Sequence, residues 1–211
     1  MEKVAFVIGN GPSRKDFDIT TLKGVGTVYG CNALYRDYPD LIDYLVSIDP
    51  PIIEEINASD FPKEKFIVPP LEEQFEDPNY NQYQRFRSNA GVNAMLEAIK
   101  AGHNVLYCLG FDFMIKSPKV SLGNLYDGTN AYGPETRSRY NDNLNRVKYM
   151  QFIAHKYNKV KFKFVVPRFG NKDEYHNLNA KNVFGVFYDS FEQSLQLDTV
   201  ENERSRVFQR L

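Results

Sequence analysis

Val4-Ala5-Phe6-Val7-Ile8 runs directly into Gly9-Asn10-Gly11-Pro12-Ser13, and this join decides the fold. Five consecutive apolar residues read as a strand covered on both faces, the habit of a central parallel strand. The two glycines around Asn10 permit backbone angles that residues with a Cβ avoid. A turn of this kind can aim several N–H groups at one point. After a first strand it is the usual phosphate or nucleotide seat of an open α/β sheet. The spacing matches neither the dinucleotide Gly-x-Gly-x-x-Gly fingerprint nor the Walker loop. The plainer alternative is a tight strand-to-loop turn.

Working outward, further apolar runs end at turn residues. Residues 25–29 form a second strand, closed by Cys31-Asn32. Asn32 either faces a ligand or caps a turn. Residues 44–48 form a third strand, ending at Asp49-Pro50-Pro51, and a short helix covers 52–57. Residues 65–68 form a fourth strand, stopped by Pro69-Pro70. The segment 71–87 is polar and aperiodic, a long loop. Residues 88–101 read as a helix with Val92, Met95, Leu96 and Ile99 on one face, an N-cap at Ser88 or Asn89, and Gly102 after it. A fifth strand over 104–109 leads into Gly110-Phe111-Asp112. The segment 114–139 has the Gly, Pro, Asn and Ser content of a lid. A second long helix covers 140–157, and a sixth strand covers 160–166. The alternation Lys161-Phe162-Lys163-Phe164 places that strand toward a sheet edge. A last strand covers 183–187.

The expected architecture is one doubly wound, mostly parallel α/β sheet, Rossmann-like, with helices on both faces. One nucleotide-binding domain spans 1–188, and 189–211 form a C-terminal helix or tail. In such sheets ligands lie over the carboxyl ends of the strands. Gly9 to Ser13, Asn32, Asp49, Gly110 and Asp112 fall there.

The 211 residues suffice for a full core, and 42% hydrophobic with 25% charged is ordinary for a globular chain. A net charge of −1 gives no field for nucleic acid or an anionic membrane. Cys31 and Cys108 fall in or beside apolar strands and read as reduced core thiols. Met1-Glu2-Lys3 leads straight into the first strand, without a signal peptide, and no run reaches membrane-spanning length. A cytoplasmic protein is expected, and a homo-oligomer is compatible with the sequence.

Gly-Asn-Gly-Pro-Ser, Cys31-Asn32, Ser88-Asn89-Ala90-Gly91-Val92 and Leu109-Gly110-Phe111-Asp112-Phe113 occur in an order that resembles the small bacterial sialyltransferases using CMP-sialic acid. The wider group of Maf-type flagellin-glycosylation proteins and MptE-like pterin diphosphokinases is similar too. The resemblance covers residues 3–185, including Asn177-Leu178-Asn179. It implies a nucleotide-sugar-dependent glycosyltransferase with a glycan or other small acceptor. Gly9, Asn10, Gly11, Pro12 and Ser13 would hold the phosphate and ribose, and Asn32 the donor. Asn89, Ala90 and Gly91 would surround the base, with Gly110 and Asp112 shaping the cleft. Tyr126 or Tyr132 would stand in for the family's lid tyrosine. The tyrosine after Gly-x-Asp-Phe is here Met114, and the family's histidine before the second long helix has no counterpart.

Inverting glycosyl transfer needs a base and positive groups at the leaving phosphate. His103 and His155 read as structural and surface residues. His176, Asp49 and Asp142 are the rival bases, and Arg137 and Arg139 the phosphate clamps. No cofactor is required on this reading. Under the diphosphokinase alternative, Asp49 with Asp112 would hold Mg2+. A third alternative is a nucleotide-binding module without catalysis.

Overall fold

The computed structural model describes residues 2–80, 87–116, 122–168, 175–176 and 178–196. Seven strands form one sheet: β1 (Val4–Ile8), β2 (Thr27–Cys31), β3 (Tyr44–Val46), β4 (Phe66–Ile67), β5 (Val105–Leu109), β6 (Lys161–Val166) and β7 (Val183–Phe187). Their order is β4-β3-β2-β1-β5-β6-β7, and every pairing between neighbours is parallel. The chain builds outward from β1 in one direction, then returns to place β5 on its other side. The strand order therefore reverses between β1 and β5, where their C-terminal loops diverge from the sheet.

The helices are α1 (Pro50–Ala58), α2 (Ala90–Lys100), α3 (Tyr140–Lys156) and α4, residues 188–196. The alternation of β1 explains the layering. Ala5 and Val7 point into one core with Val92 and Met95 of α2 and Met150 and Ile153 of α3. Phe6 and Ile8 point into the other, with Ile52 and Ile56 of α1 and Phe191 and Leu195 of α4. A strand sandwiched in this way needs apolar residues at every position, as the uninterrupted run supplies.

Apart from shifts of one or two residues at other element ends, three features refine the sequence expectation. β2 starts two residues later than residue 25, so Cys31 is its last residue and Asn32 starts a short 3-10 turn. β6 is interior, between β5 and β7. Its Lys163 is accommodated because Nζ lies 4.5 Å from the Tyr107 ring centre and donates to the Tyr107 hydroxyl at 2.8 Å. The C-terminal segment assigned to helix or tail is helical over 188–196, and Phe191 is fully buried against Phe6 and Tyr107. Residues 81–86 of the long loop, 117–121 of the lid and 197–211 of the tail lie outside the described residues. Among the described residues no helix is long and apolar enough to cross a membrane.

The β1 and β5 loops touch backbone to backbone. A Cβ on Gly9 would sit 2.6 Å from the Gly110 carbonyl oxygen, and one on Gly110 would sit 2.6 Å from the Gly9 carbonyl oxygen. Gly110 also has φ +70. Gly110→Ala should therefore combine a left-handed penalty of about 1–2 kcal/mol with overpacking of about 1–3 kcal/mol. Gly102, at φ +85 with nothing within 4 Å of a built Cβ, isolates the first of these. Urea unfolding should find Gly110→Ala clearly less stable than Gly102→Ala. Equal losses would show that the two loops can part at no cost.

Candidate functional site

The loops at the C-terminal edge of the sheet enclose a cleft of about 480 Å³ at the β1/β5 reversal. It is the size of a small-molecule site. Its lining includes Gly9, Asn10, Gly11, Asn32, Asp49, Asn89, Ala90, Gly91, Gly110 and Asp112, so residues scattered over a hundred positions of sequence do converge.

The glycine turn does not present its N–H groups to the cleft as the sequence suggested. Gly9 N–H donates to Leu109 O at 2.8 Å, and Gly11 N–H donates to Gly110 O at 2.9 Å. Ser13 N–H donates to Asp112 Oδ2 at 2.9 Å, and the Ser13 hydroxyl donates to Asp112 Oδ1. A Cβ on Gly11 would overlap that same carboxyl. The glycines serve close loop packing, and Pro12 and Ser13 are not in the cleft lining. Arg14 is buried behind the turn and donates from Nε to Gly9 O at 2.7 Å.

Asp112 is 4% exposed, and burial raises its pKa from 3.8 to about 6 against the opposing pull of Ser13 and Arg14. Both of its carboxylate oxygens are engaged by Ser13. Among the described residues no group of three or more His, Cys, Asp or Glu side chains is placed to hold a metal ion.

Asn32 holds φ +50, uncommon for a residue with a side chain, and it lines the cleft. Its Oδ1 accepts from the Ser47 hydroxyl at 2.8 Å, and its Nδ2 donates to Asp49 Oδ2 at 2.9 Å. Ser47 and Asn32 thus orient Asp49, which is the N-cap residue of α1. The other Asp49 oxygen faces Arg87 Nη1 at 3.9 Å.

Two of the rival bases stand elsewhere. His176 does not line the cleft. Its N–H donates to Met114 O at 2.7 Å, and its ring is held below its usual pKa by burial and then by Lys116. Asp142 turns back to the start of α3, where it accepts from the Arg139 N–H at 2.9 Å. Arg139 is the N-cap residue and lies outside the cleft lining, whereas Arg137 is within it and faces Asp127 at 3.7 Å. Tyr126 donates to Asp37 Oδ2 at 2.8 Å, away from the cleft. Tyr132 lines it. Asn177 lies outside the described residues.

The described part of the lid, 122–139, roofs the cleft. It is tied down by Leu125 N–H donating to Asn10 O at 2.8 Å and by Arg36. Arg36 donates to Thr129 Oγ1 at 2.8 Å, to Asn130 O at 3.0 Å and to both Glu55 oxygens of α1 at 2.7 Å. The Arg36 bonds hold the Glu55 carboxyl down at about 2.

The sequence reading missed Arg87, Ser88 and Arg146. Arg146 Nη1 donates to Asn143 Oδ1 at 2.7 Å and to Ser138, and burial pulls its pKa below the usual value. Asn143 is buried and Arg146 half-buried one turn ahead of Met150 on α3, so two polar residues at helical spacing on the inner face were the available signal. Asn10, Ser88 and Tyr132 line the cleft; Asn10 Oδ1 and Ser88 Oγ are buried without a hydrogen-bond partner among the described residues, whereas the Tyr132 hydroxyl is within reach of Asn32 and the Ala33 backbone. Groups of this kind cost about 1–3 kcal/mol each when left unmade.

A scan of protein-family models, a search of curated proteins and a search of solved structures each found no match to this chain.

The Asp112 environment gives a test of its own. Between about pH 4 and 6 the folded chain keeps a proton that the unfolded chain has released. Its contribution to stability is thus present at the acid end and lost as pH rises through about 6. The gap between 3.8 and about 6 corresponds to about 3 kcal/mol. Urea titrations of the protein and of Asp112→Asn at pH 4 to 7 should show the stability difference falling by that order across the window. Parallel pH curves would mean that Asp112 titrates normally.

Proposed function

We propose that the chain is a nucleotide-sugar-dependent glycosyltransferase of the sialyltransferase type. The cleft at the β1/β5 reversal would seat a CMP- or other nucleotide-activated donor, and the acceptor is a glycan or other small molecule. The observation that carries this reading is the pairing of unpartnered polar groups with fixed arginines around one cleft. Asn10 Oδ1 suits a hydroxyl or amine group of a nucleoside, and Arg137 and Arg146 suit its phosphate. Two free, buried thiols support a cytoplasmic setting.

The roles follow from the side chains rather than from the glycine turn. Arg146, already held by Asn143 and Ser138, meets a phosphate without further ordering. As the donor breaks, charge grows on the departing phosphate oxygen, and a guanidinium in a partly buried site stabilises that charge more than water would. Asp49, oriented through Asn32 by Ser47, takes the acceptor's proton. A base oriented by a second polar group is the usual arrangement for activating a hydroxyl.

Thermal-shift titrations with CMP, UDP and GDP, each with Mg2+ and with a chelator, test the seat. One nucleotide should stabilise the protein, and Arg146→Met should weaken its binding by about 10-fold or more. With the corresponding sugar donor, Asp49→Asn should keep binding and lose about 100-fold in turnover. Stabilisation without turnover in the wild type would leave a binding module. Strict Mg2+ dependence would favour the diphosphokinase, and no stabilisation by any nucleotide would overturn the reading.

A further inference from the structure

A second chamber of about 160 Å³ adjoins the main cleft. Arg87, Ser88, Asn89 and Arg146 line both, so the two spaces meet at these residues. Glu76, Asn145 and Tyr149 line the chamber alone. Ser88 is 8% exposed, and its hydroxyl has no hydrogen-bond partner. Glu76 is 4% exposed, a carboxylate brought deep inside.

Size limits the occupant first. A cavity of about 150 Å³ holds one benzene ring, so this chamber admits one six-membered ring and not two. Chemistry limits it next. Guanidinium donors, a carboxylate acceptor, a free hydroxyl and an amide surround the space, and the Tyr149 ring supplies apolar surface. A flat nucleobase carries polar groups along part of its edge. A pyranose carries groups that both donate and accept around its whole rim, and its C–H faces suit an aromatic side chain. Among the described residues the lining carries the cations Arg87 and Arg146 and the anions Glu76 and Asp142, which favours a ring without net charge.

Position gives the role. Arg87, where the two spaces meet, has Nη1 3.9 Å from Asp49 Oδ1. Resting on the glycosyltransferase reading above, we propose that this chamber is the acceptor subsite. It takes one uncharged, hydroxyl-rich monosaccharide ring, whose attacking hydroxyl emerges past Arg87 beside Asp49. In the transfer, the Asp49 carboxylate takes the hydroxyl proton and the hydroxyl oxygen bonds to the donor's anomeric carbon. The bond from that carbon to the phosphate oxygen breaks, and its electron pair leaves on the nucleotide.

Saturation-transfer NMR with methyl β-galactoside, methyl β-glucoside and N-acetylglucosamine tests this on the nucleotide-loaded protein. Asn145→Trp fills the chamber from a residue that does not itself line the cleft, and Ser88→Ala removes the free hydroxyl without adding volume. At least one sugar should give a signal with the wild type. That signal should vanish in Asn145→Trp and weaken about fivefold or more in Ser88→Ala, while the nucleotide's thermal shift stays unchanged in Asn145→Trp. Sugar signals unaltered by both variants, or absent from the loaded wild type, would overturn the proposal. Loss of the nucleotide shift in Asn145→Trp would overturn it too, by making the chamber the nucleobase's seat. A chamber-dependent sugar signal in a wild type that binds no nucleotide would support the sugar site and overturn the glycosyltransferase reading.

Discussion

The carbonyl groups of Gly9 and Gly110 each occupy the space that the other residue's Cβ would need. This contact fixes how β1 and β5 end, and the site depends on those ends. Two parallel neighbours whose connections leave in opposite directions must part at their carboxyl edge, which opens a crevice. Here the parting is delayed by one more turn of chain. Gly11 stays bonded to Gly110, and Ser13 stays clasped to Asp112. The crevice therefore has a closed floor, with the buried Arg14 beneath the Gly9 carbonyl. A glycine turn after a first strand is usually explained by a ligand's approach. In this chain the approaching group is the protein's own backbone.

One consequence, on the proposed reading, is that an anion is met by side chains rather than by the main chain of the glycine turn. The N–H groups of Gly9, Gly11 and Ser13 already donate within the protein. At the start of α2, Asn89 Oδ1 accepts from Val92 N–H at 2.9 Å, which satisfies another of the donors that phosphate sites often use. On the proposed reading a phosphate meets Arg146, Arg137 and Arg87. Burying Arg146 is costly, as the downward pull on its pKa shows, and Asn143 and Ser138 offset part of that cost through neutral oxygens. A guanidinium held in this way keeps its charge and its fork geometry, and both match a phosphate.

The fold was legible because its signals are local. β1 and β5 are apolar at every position, α2 has a cap and a periodic face, and the turns carry Gly or Pro where strands stop. Even β7, short and weakly apolar, falls where 183–187 indicated. The site was legible only in outline. That Asn10, Asn32, Asp49, Asn89 and Gly110 share a cleft follows from parallel topology alone. Which atoms stay free does not, since it depends on partners far away in sequence. Ser13 meets Asp112 across 99 positions, and periodicity gives no hint of it. His176 was favoured by residue type and by its sheet edge, yet its neighbours are Met114 and Lys116. Arg146 was passed over because a charged residue on a helix is normally a solvated one.

The roof of the cleft and its best-placed carboxylate share one helix. Asp49 precedes the first residue of α1, and Glu55 lies farther along the same helix. Glu55 is forked by Arg36, which also grips Thr129 and Asn130 of the roofing segment. A short helix moves nearly as a rigid body, because its hydrogen bonds run from turn to turn. Ile52 and Ile56 pin α1 against the sheet, so the Arg36 bonds connect the roof to an element that is already fixed. The distance between the roof and Asp49 is then set by packing and by charge-assisted hydrogen bonds, with Asn32 holding Asp49 from the β2 side. Polar side chains without partners can remain in such a cleft only where the surrounding frame keeps them from collapsing onto one another. Gly9 against Gly110 supplies that frame on one side, and Arg36 on α1 supplies it on the other.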